Sequence, residues 1–463
     1  MIKRHKYISA AVIAIASVLC IGCSATRECR TPELNLPERI KDSAPDSLTI
    51  ADVRWWEFYG DENLRYIIER TLESNKKILA AAAKVEQLQE LYRVSKANRM
   101  PNLLFLAPFN NETNDYYDEK PLRDPEFGLK MSIRWELDFF GNLRWAKRKA
   151  GAEYIATVED ERAMRMTLVA EAASAYFRLI ALDNELEIVR RTLVTRSEGR
   201  QLAKIRFEGG LTSEIVYQQA QVEYASTAAL IPNLEYSIKV TENALALLMG
   251  EYPDLEIMRS KMLDDSDMAE RLPVGIPSEL LQRRPDVRAA EQRLQASMAA
   301  VGVAYADRFP RMTIELTGGV EDNSLRTIFR SPFSYIAETL TAPIFGFGRK
   351  KAKYKAAVAA YEEACLNYEQ KVLEVFKEAD DAIERYSSAR SAAVMRSRLL
   401  DAARKYDYLT HSQQIVGSIR YMDMLDAQRR YLDAQIGLNN AIRDEHLALV
   451  QLYKVLGGGW QIE

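Results

Sequence analysis

The chain has 463 residues, with 63 Lys and Arg against 66 Asp and Glu, a formal charge of −3 and 48% hydrophobic residues. That balance excludes a polybasic nucleic-acid binder and an acidic disordered chain, and it supplies enough apolar surface for a large core. Only 15 prolines and 20 glycines interrupt the sequence, with no proline between Pro125 and Pro232 or after Pro343, so those two stretches read as very long helices.

In chain order, Lys3, Arg4 and Lys6 precede an uncharged run from Tyr7 to Gly22, which has the layout of an export signal and is short for a spanning helix. Residues 1–22 are therefore expected to be removed. The run ends in Leu19-Cys20-Ile21-Gly22-Cys23-Ser24, which resembles a bacterial lipobox with Cys20 standing where an aliphatic residue is usual. Cys23 is the expected lipid anchor, the alternative being a cysteine near an ordinary cleavage site. Residues 23–50, with Pro32, Pro37 and Pro45, read as an extended tether. Beyond it only Cys29 and Cys365 remain; neither has an obvious partner, and both are expected to be inert core thiols.

The rest of the chain is duplicated at a period of about 207 residues. Ile78-Leu79-Ala80-Ala81 matches Val287-Arg288-Ala289-Ala290, Met100-Pro101 matches Phe309-Pro310, and Phe140-Gly141-Asn142-Leu143-Arg144 matches Phe345-Gly346-Phe347-Gly348-Arg349. Ala220-Gln221 likewise matches Ala427-Gln428, and Met249-Gly250 matches Leu456-Gly457. The copies are placed at 51–260 and 261–463. Each reads as helix, strand, loop, strand, very long helix, tight turn, helix.

The strands are expected near 102–138 and 310–345. Phe127, Leu129, Met131, Ile133, Trp135 and Leu137 alternate with Gly128, Lys130, Ser132, Arg134, Glu136 and Asp138, a period of two with one apolar and one polar face. Met312, Ile314, Leu316 and Val320 alternate with polar residues in the same way, whereas Leu103 to Phe109 and Ser334 to Ile344 do so less clearly. Four strands leave two unpaired edges, so oligomerisation is expected to complete the sheet. The strand length and polarity suit a transmembrane β-barrel, twelve-stranded if three copies close it.

The long helices carry heptad seams. Leu168, Ala172, Ala175, Leu179, Leu182, Leu186, Val189 and Leu193 follow alternating spacings of four and three, and Val358, Tyr361, Cys365, Tyr368, Val372, Val375, Ala379, Ala382, Tyr386 and Ala389 repeat them in the second copy. A helix of about sixty residues would reach about 90 Å.

Four motifs carry a family resemblance: Leu280-Leu281-Gln282-Arg283-Arg284-Pro285-Asp286-Val287-Arg288-Ala289-Ala290-Glu291; Trp135-Glu136-Leu137-Asp138-Phe139-Phe140-Gly141; Ala342-Pro343-Ile344-Phe345-Gly346-Phe347-Gly348-Arg349; and the ending Leu452-Tyr453-Lys454-Val455-Leu456-Gly457-Gly458-Gly459-Trp460. With them the chain resembles the TolC/OprM-like outer-membrane factors of tripartite efflux systems over nearly its whole mature length. The resemblance implies a mainly α fold with a small β part, in which a homotrimer forms an outer-membrane barrel continued by a periplasmic helical barrel. It implies partners as well: a periplasmic adaptor (membrane fusion protein) and an inner-membrane transporter of the RND type, serving drug or small-solute efflux. An outer-membrane channel for type I protein secretion is the alternative.

Two turns resemble the family's adaptor-docking tips: Gly209-Gly210-Leu211-Thr212 and Val416-Gly417-Ser418-Ile419. Gly210, Leu211, Thr212, Val416, Gly417 and Ser418 are the docking candidates, although the glycines also suit simple helix caps. Just beyond the second turn, Asp423 and Asp426 are three residues apart on one helix face and match the aspartates at the family's closed end; the alternative is an ordinary exposed acidic pair. Three copies would make two carboxylate rings at a narrow axis. The corresponding segment of the first copy, Tyr217-Gln218-Gln219-Ala220, has no acid. An enzyme is not expected: His411 and His446 stand apart from any Cys or carboxylate set at ligand spacing, no nucleophile motif is present, and neither metal, cofactor nor nucleic acid is anticipated.

Overall fold

The computed structural model describes residues 29, 32, 50–54, 57, 60–114, 122–260, 277–342, 345–415 and 418–459. The export signal, Cys23, most of the tether, Val416 and Gly417 lie outside them. The elements are α1 Glu62–Ser74, α2 Lys76–Ala97, β1 Asn102–Leu106, β2 Phe109–Asn114, β3 Leu122–Leu137, α3 Asn142–Glu208, α4 Glu214–Ala228, α5 Leu230–Leu248, α6 Pro277–Arg283, α7 Pro285–Ala306, β4 Arg311–Asp322, β5 Pro332–Thr341, α8 Arg349–Ile415 and α9 Tyr421–Val455. The helix–strand–helix–turn–helix order therefore occurs twice. Both long helices have 67 residues, and among the described residues no helix is both long and apolar enough to cross a membrane.

The chain forms two compact units, each drawing on both sequence copies. The first contains residues 84–158 and 289–370, and with them the whole sheet. There β1 and β2 pair with β3 in one continuous register, Leu106 opposite Lys130 and Phe109 opposite Phe127. They are one strand broken at Ala107 and Pro108, because proline has no N–H to give the ladder. Four strands are thus the right reading, the first running on to Asn114. β4 pairs with β3 on one side and β5 on the other, every pair antiparallel, so the broken strand and β5 are the two edges. Gly319 lets β4 approach β3, since a Cβ there would stand 2.1 Å from the Leu129 carbonyl oxygen.

The faces of this sheet reverse the usual order. Leu103, Ile133, Leu316 and Ile336 lie side by side across the strands and are exposed at 59, 42, 44 and 69%. On the opposite face Ser132 and Thr317 are exposed at 0 and 2%. That face is hydrogen-bonded throughout: Ser132 Oγ donates to Glu315 at 2.7 Å, Thr317 Oγ1 donates to Ser132 Oγ at 3.1 Å, Arg134 pairs with Glu315 at 2.9 Å and Lys130 with Glu321 at 2.7 Å. A sandwich in water would bury the apolar row instead.

The second unit contains residues 35–83, 159–288 and 371–463. The heptad positions Leu168, Ala172, Leu179, Leu186 and Val189 are buried, and so are Val169, Ala173, Tyr176 and Ile180 beside them, so this part of α3 packs along two stripes. Alanine recurs because it permits close helix approach. Asp61 caps α1, accepting from the N–H groups of Asn63 and Leu64 at 2.8 and 3.2 Å, and also accepts from Tyr176 Oη at 2.7 Å and Ser260 Oγ at 2.9 Å. The central signature motif gains a physical explanation in this unit. Buried Arg284 pairs with Asp286 at 2.6 Å and Glu378 at 2.7 Å, Lys371 adds a second cation to Asp286 at 2.7 Å, and Arg288 pairs with buried Glu159 at 2.7 Å. Burial alone would raise the Asp286 pKa, but the hydrogen bonds and charges of Arg284 and Lys371 outweigh it and hold the carboxyl well below its ordinary range.

The two remaining cysteines come to one cluster in the first unit. Cys29 and Cys365 pack against the same cluster, formed by Leu294, Val301, Tyr354 and Tyr361. Both are half-buried and no disulfide joins them. Their separation of 336 positions hid the proximity.

Candidate functional site

The predicted docking and gate residues that the structure describes, Gly210, Leu211, Thr212, Ser418, Asp423 and Asp426, belong to the second unit and follow the ends of α3 and α8. After α3, Gly210 takes φ +71°, Gly210 N–H donates to Phe207 O at 2.9 Å and Leu211 N–H to Arg206 O at 2.8 Å. This is a Schellman closure, with glycine at the position that requires a left-handed backbone. Such a closure often tucks the next residue against the helix, yet Leu211 is 78% exposed, and Ile215 in the following turn is exposed too. Ser213 Oγ accepts from Ile215 N–H at 3.2 Å to start α4. The Thr212 hydroxyl oxygen is buried without a hydrogen-bond partner.

The second turn repeats one bond of the first. Ser418 N–H donates to Gln413 O at 3.0 Å, both residues lying 207 positions after Leu211 and Arg206. The duplication therefore extends to this hydrogen bond. Ser418 Oγ also donates to the same carbonyl at 3.0 Å.

Asp423 and Asp426 both have local partners. Asp423 accepts from the N–H of Arg420, the residue before α9, at 3.2 Å, and so supplies the carboxylate of an N-terminal capping arrangement. Asp426 pairs with Arg430 one turn on, at 2.8 Å. The side chains of both carboxylates remain close to half exposed.

Sequence reading missed an acid close by. Glu223 in α4 is buried, with Arg196 of α3 at 2.7 Å on one oxygen and Arg429 Nε of α9 donating to the other at 2.6 Å. Arg196 Nη1 also donates to the Glu223 carbonyl at 2.8 Å, while its Nε is buried without a partner. Three helices from both sequence copies thus meet on one carboxylate. Burial lowers the Arg196 pKa against the opposing pull of Glu223, and burial together with the Glu223 charge raises that of Tyr421. A signal was available for Arg196, which stands three residues after Leu193, at the next position of the heptad seam. The first copy does carry an acid near its tip, one turn beyond the segment compared with Asp423 and Asp426.

Neither histidine stands in a ligand set: His446 packs on Phe177 with ring centroids 4.9 Å apart, and its Nδ1 lies 2.9 Å from the Ile442 carbonyl oxygen. Among the described residues no group of three or more His, Cys, Asp or Glu side chains could hold a metal ion. The described residues of this region are exposed apolar side chains at the first turn and charge links between helices.

The sequence matches the outer membrane efflux protein family over residues 67–251 and again over residues 276–458. The chain belongs to that family. It is 29% identical over 449 residues to the cation efflux system protein CusC of Escherichia coli, covering 95% of this chain and 96% of that protein. It is 30% identical over 413 residues to the solvent efflux pump outer membrane protein SrpC of Pseudomonas putida, covering 88% and 87%. The fold superposes on the outer-membrane channel OprN with a TM-score of 0.85 at 27% identity, covering 93% of this chain and 99% of that one. The outer membrane efflux protein described here is accordingly an outer-membrane channel component of an efflux system.

Proposed function

We propose that three copies close their sheets into a twelve-stranded barrel and act as the passive exit duct of a tripartite pump, conducting without catalysing. The observation that carries this reading is the reversed sheet, with an exposed apolar row across four strands, a hydrogen-bonded polar face behind it and an open edge on either side. In a bilayer the apolar row meets lipid, the polar face lines an aqueous lumen, and the edges pair with neighbouring copies. Cys23 carries the lipid that adds a second attachment to the membrane.

A periplasmic adaptor docks on the paired turns, Gly210-Leu211-Thr212 in one copy and Val416-Gly417-Ser418 in the other, and links the duct to an inner-membrane transporter of the RND type. Exposed Leu211 and Ile215 offer that adaptor an apolar contact. Asp423 and Asp426 form the gate, with Arg420 and Arg430 offsetting the repulsion among six carboxylates around the axis. Related proteins are named for cations and for solvents, and small solutes are the class common to both.

Deleting the gene should sensitise the cell to small toxic solutes that the neighbouring transporter handles; loss of a secreted polypeptide instead would favour the protein-secretion reading. In planar bilayers, Asp423→Asn with Asp426→Asn should abolish block by multivalent cations added from the periplasmic side. Traces identical to the parent would place both carboxylates on an ordinary solvated surface.

A further inference from the structure

The first unit holds a cavity of about 740 Å³ between α2, α3 and α7, lined by Tyr92, Arg99, Arg144, Trp145, Lys147 and Arg148 among others, with no carboxylate among its lining residues. Four cations crowd one concave site. Among the described residues the one ion pair these four cations make is that of Arg144 with Asp138, at 3.5 Å. Lys147 lies over the Tyr92 ring at 5.9 Å and Arg148 over the Trp145 ring at 4.6 Å, contacts that hold a cation in place without neutralising it. Arg99 Nε is buried without a hydrogen-bond partner.

The position of this cavity identifies its occupant. Arg99 lies three residues before β1, and Arg144 to Arg148 open α3 shortly after β3 ends. Trp135, on the exposed apolar face of β3, donates its indole N–H to the Arg99 carbonyl at 3.1 Å. Near its end the apolar face thus carries an aromatic residue bonded to the main chain of Arg99, one of the residues that line the cationic site, which is the order of environments met on leaving the hydrocarbon of a bilayer. A soluble anion would match the charge alone. A lipid would match the charge and the adjoining apolar strip together.

We propose that this cavity binds the phosphate headgroup of an anionic phospholipid of the inner leaflet of the outer membrane, with the acyl chains lying along the exposed row of the sheet. The proposal rests on the sheet being the membrane-embedded part of the channel. Arginine presents a planar fork that matches phosphate oxygens, and Trp145 and Tyr92 suit the depth of the headgroups. Bound lipid would fix the level of the barrel in the membrane.

The test uses the full-length protein, stripped of lipid in a neutral detergent and equilibrated with mixed micelles of phosphatidylglycerol and phosphatidylcholine, with retained lipid counted by native mass spectrometry. The wild type should retain phosphatidylglycerol at least several-fold over phosphatidylcholine. Lys147→Gln with Arg148→Gln should weaken phosphatidylglycerol retention by roughly 25-fold, taking about fivefold for each charge at a membrane surface, and leave phosphatidylcholine unchanged. Lys351→Gln with Lys355→Gln, which removes two exposed cations outside the cavity, should change neither. Equal retention of the two lipids by the wild type, which needs no variant to fold, would overturn the proposal. So would an equal loss in the Lys351/Lys355 variant, which would indicate diffuse charge, or full displacement by millimolar inorganic phosphate, which would indicate a soluble anion. If the protein proves not to form a channel yet still selects phosphatidylglycerol, the proposed duct function fails and the lipid site survives.

Discussion

The sheet of the first unit and the paired turns of the second both depart from the rule that apolar groups go inside, and they do so in opposite ways. The sheet exposes Leu103, Ile133, Leu316 and Ile336 and hides Ser132 and Thr317. The turn region keeps an apolar seam but sets Arg196 at its next step and buries Glu223 between Arg196 and Arg429. The first departure concerns solvent: an apolar row left outside is stable only where lipid replaces water. The second concerns connection, because a buried charge persists only while its partners stay, so Glu223 ties α3, α4 and α9 together at a cost in desolvation.

The sharpest way to break this contrast is to remove the buried carboxylate. Glu223→Ala leaves Arg196 buried without its counter-charge and should destabilise the second unit by about 3–5 kcal/mol, visible as a lower midpoint in thermal or denaturant unfolding; a change within error would mean that the carboxylate links nothing. Next comes Ile133→Arg, which puts a cation into the exposed apolar row. If that row faces lipid the change should cost about 2–4 kcal/mol and reduce assembled protein in the membrane fraction, whereas a row facing water would tolerate it with a shift near zero.

Asp286→Asn probes a buried link of a different kind and should cost about 1–3 kcal/mol at neutral pH, as expected for loss of charged hydrogen bonds. Because the folded carboxyl titrates below its ordinary range, its contribution is fully present above the unfolded pKa of about 4 and is lost as pH falls toward the lower folded value. Wild-type and variant melting curves should therefore converge in acid; a gap that stays constant from pH 7 to 3 would contradict the assignment. The smallest effect belongs to the turn: Asp423→Ala removes a capping acceptor and should cost about 1 kcal/mol, while Asp426→Ala, which breaks only an exposed pair with Arg430, should cost about 0.5 kcal/mol or less. The reverse order would reassign the structural role between them.

Much of the sheet was legible because its information is local. Alternation from Phe127 to Leu137 fixes which side chains share a face, and one break at Pro108 explains the weaker pattern of the first strand. The turns were legible because glycine and the repeat mark them independently. What remained hidden joins distant positions: Glu223 meets Arg429 across 206 residues and Cys29 meets the Cys365 cluster across 336, and no periodicity encodes such meetings. Arg196 falls between the two cases, since a charge at a seam position signals a buried partner without naming it. The cationic cavity was half visible, for Arg144, Lys147 and Arg148 are neighbours in sequence while Tyr92 arrives from α2 and Arg99 from the turn that follows it.

The central claim is that the reversed sheet closes with neighbouring copies in the membrane, and the number of chains per particle tests it most directly. Light scattering of the detergent-extracted protein, corrected for bound detergent, should give three chains per particle, with the strand signal retained in circular dichroism. A monodisperse monomer that keeps its strands would contradict the account.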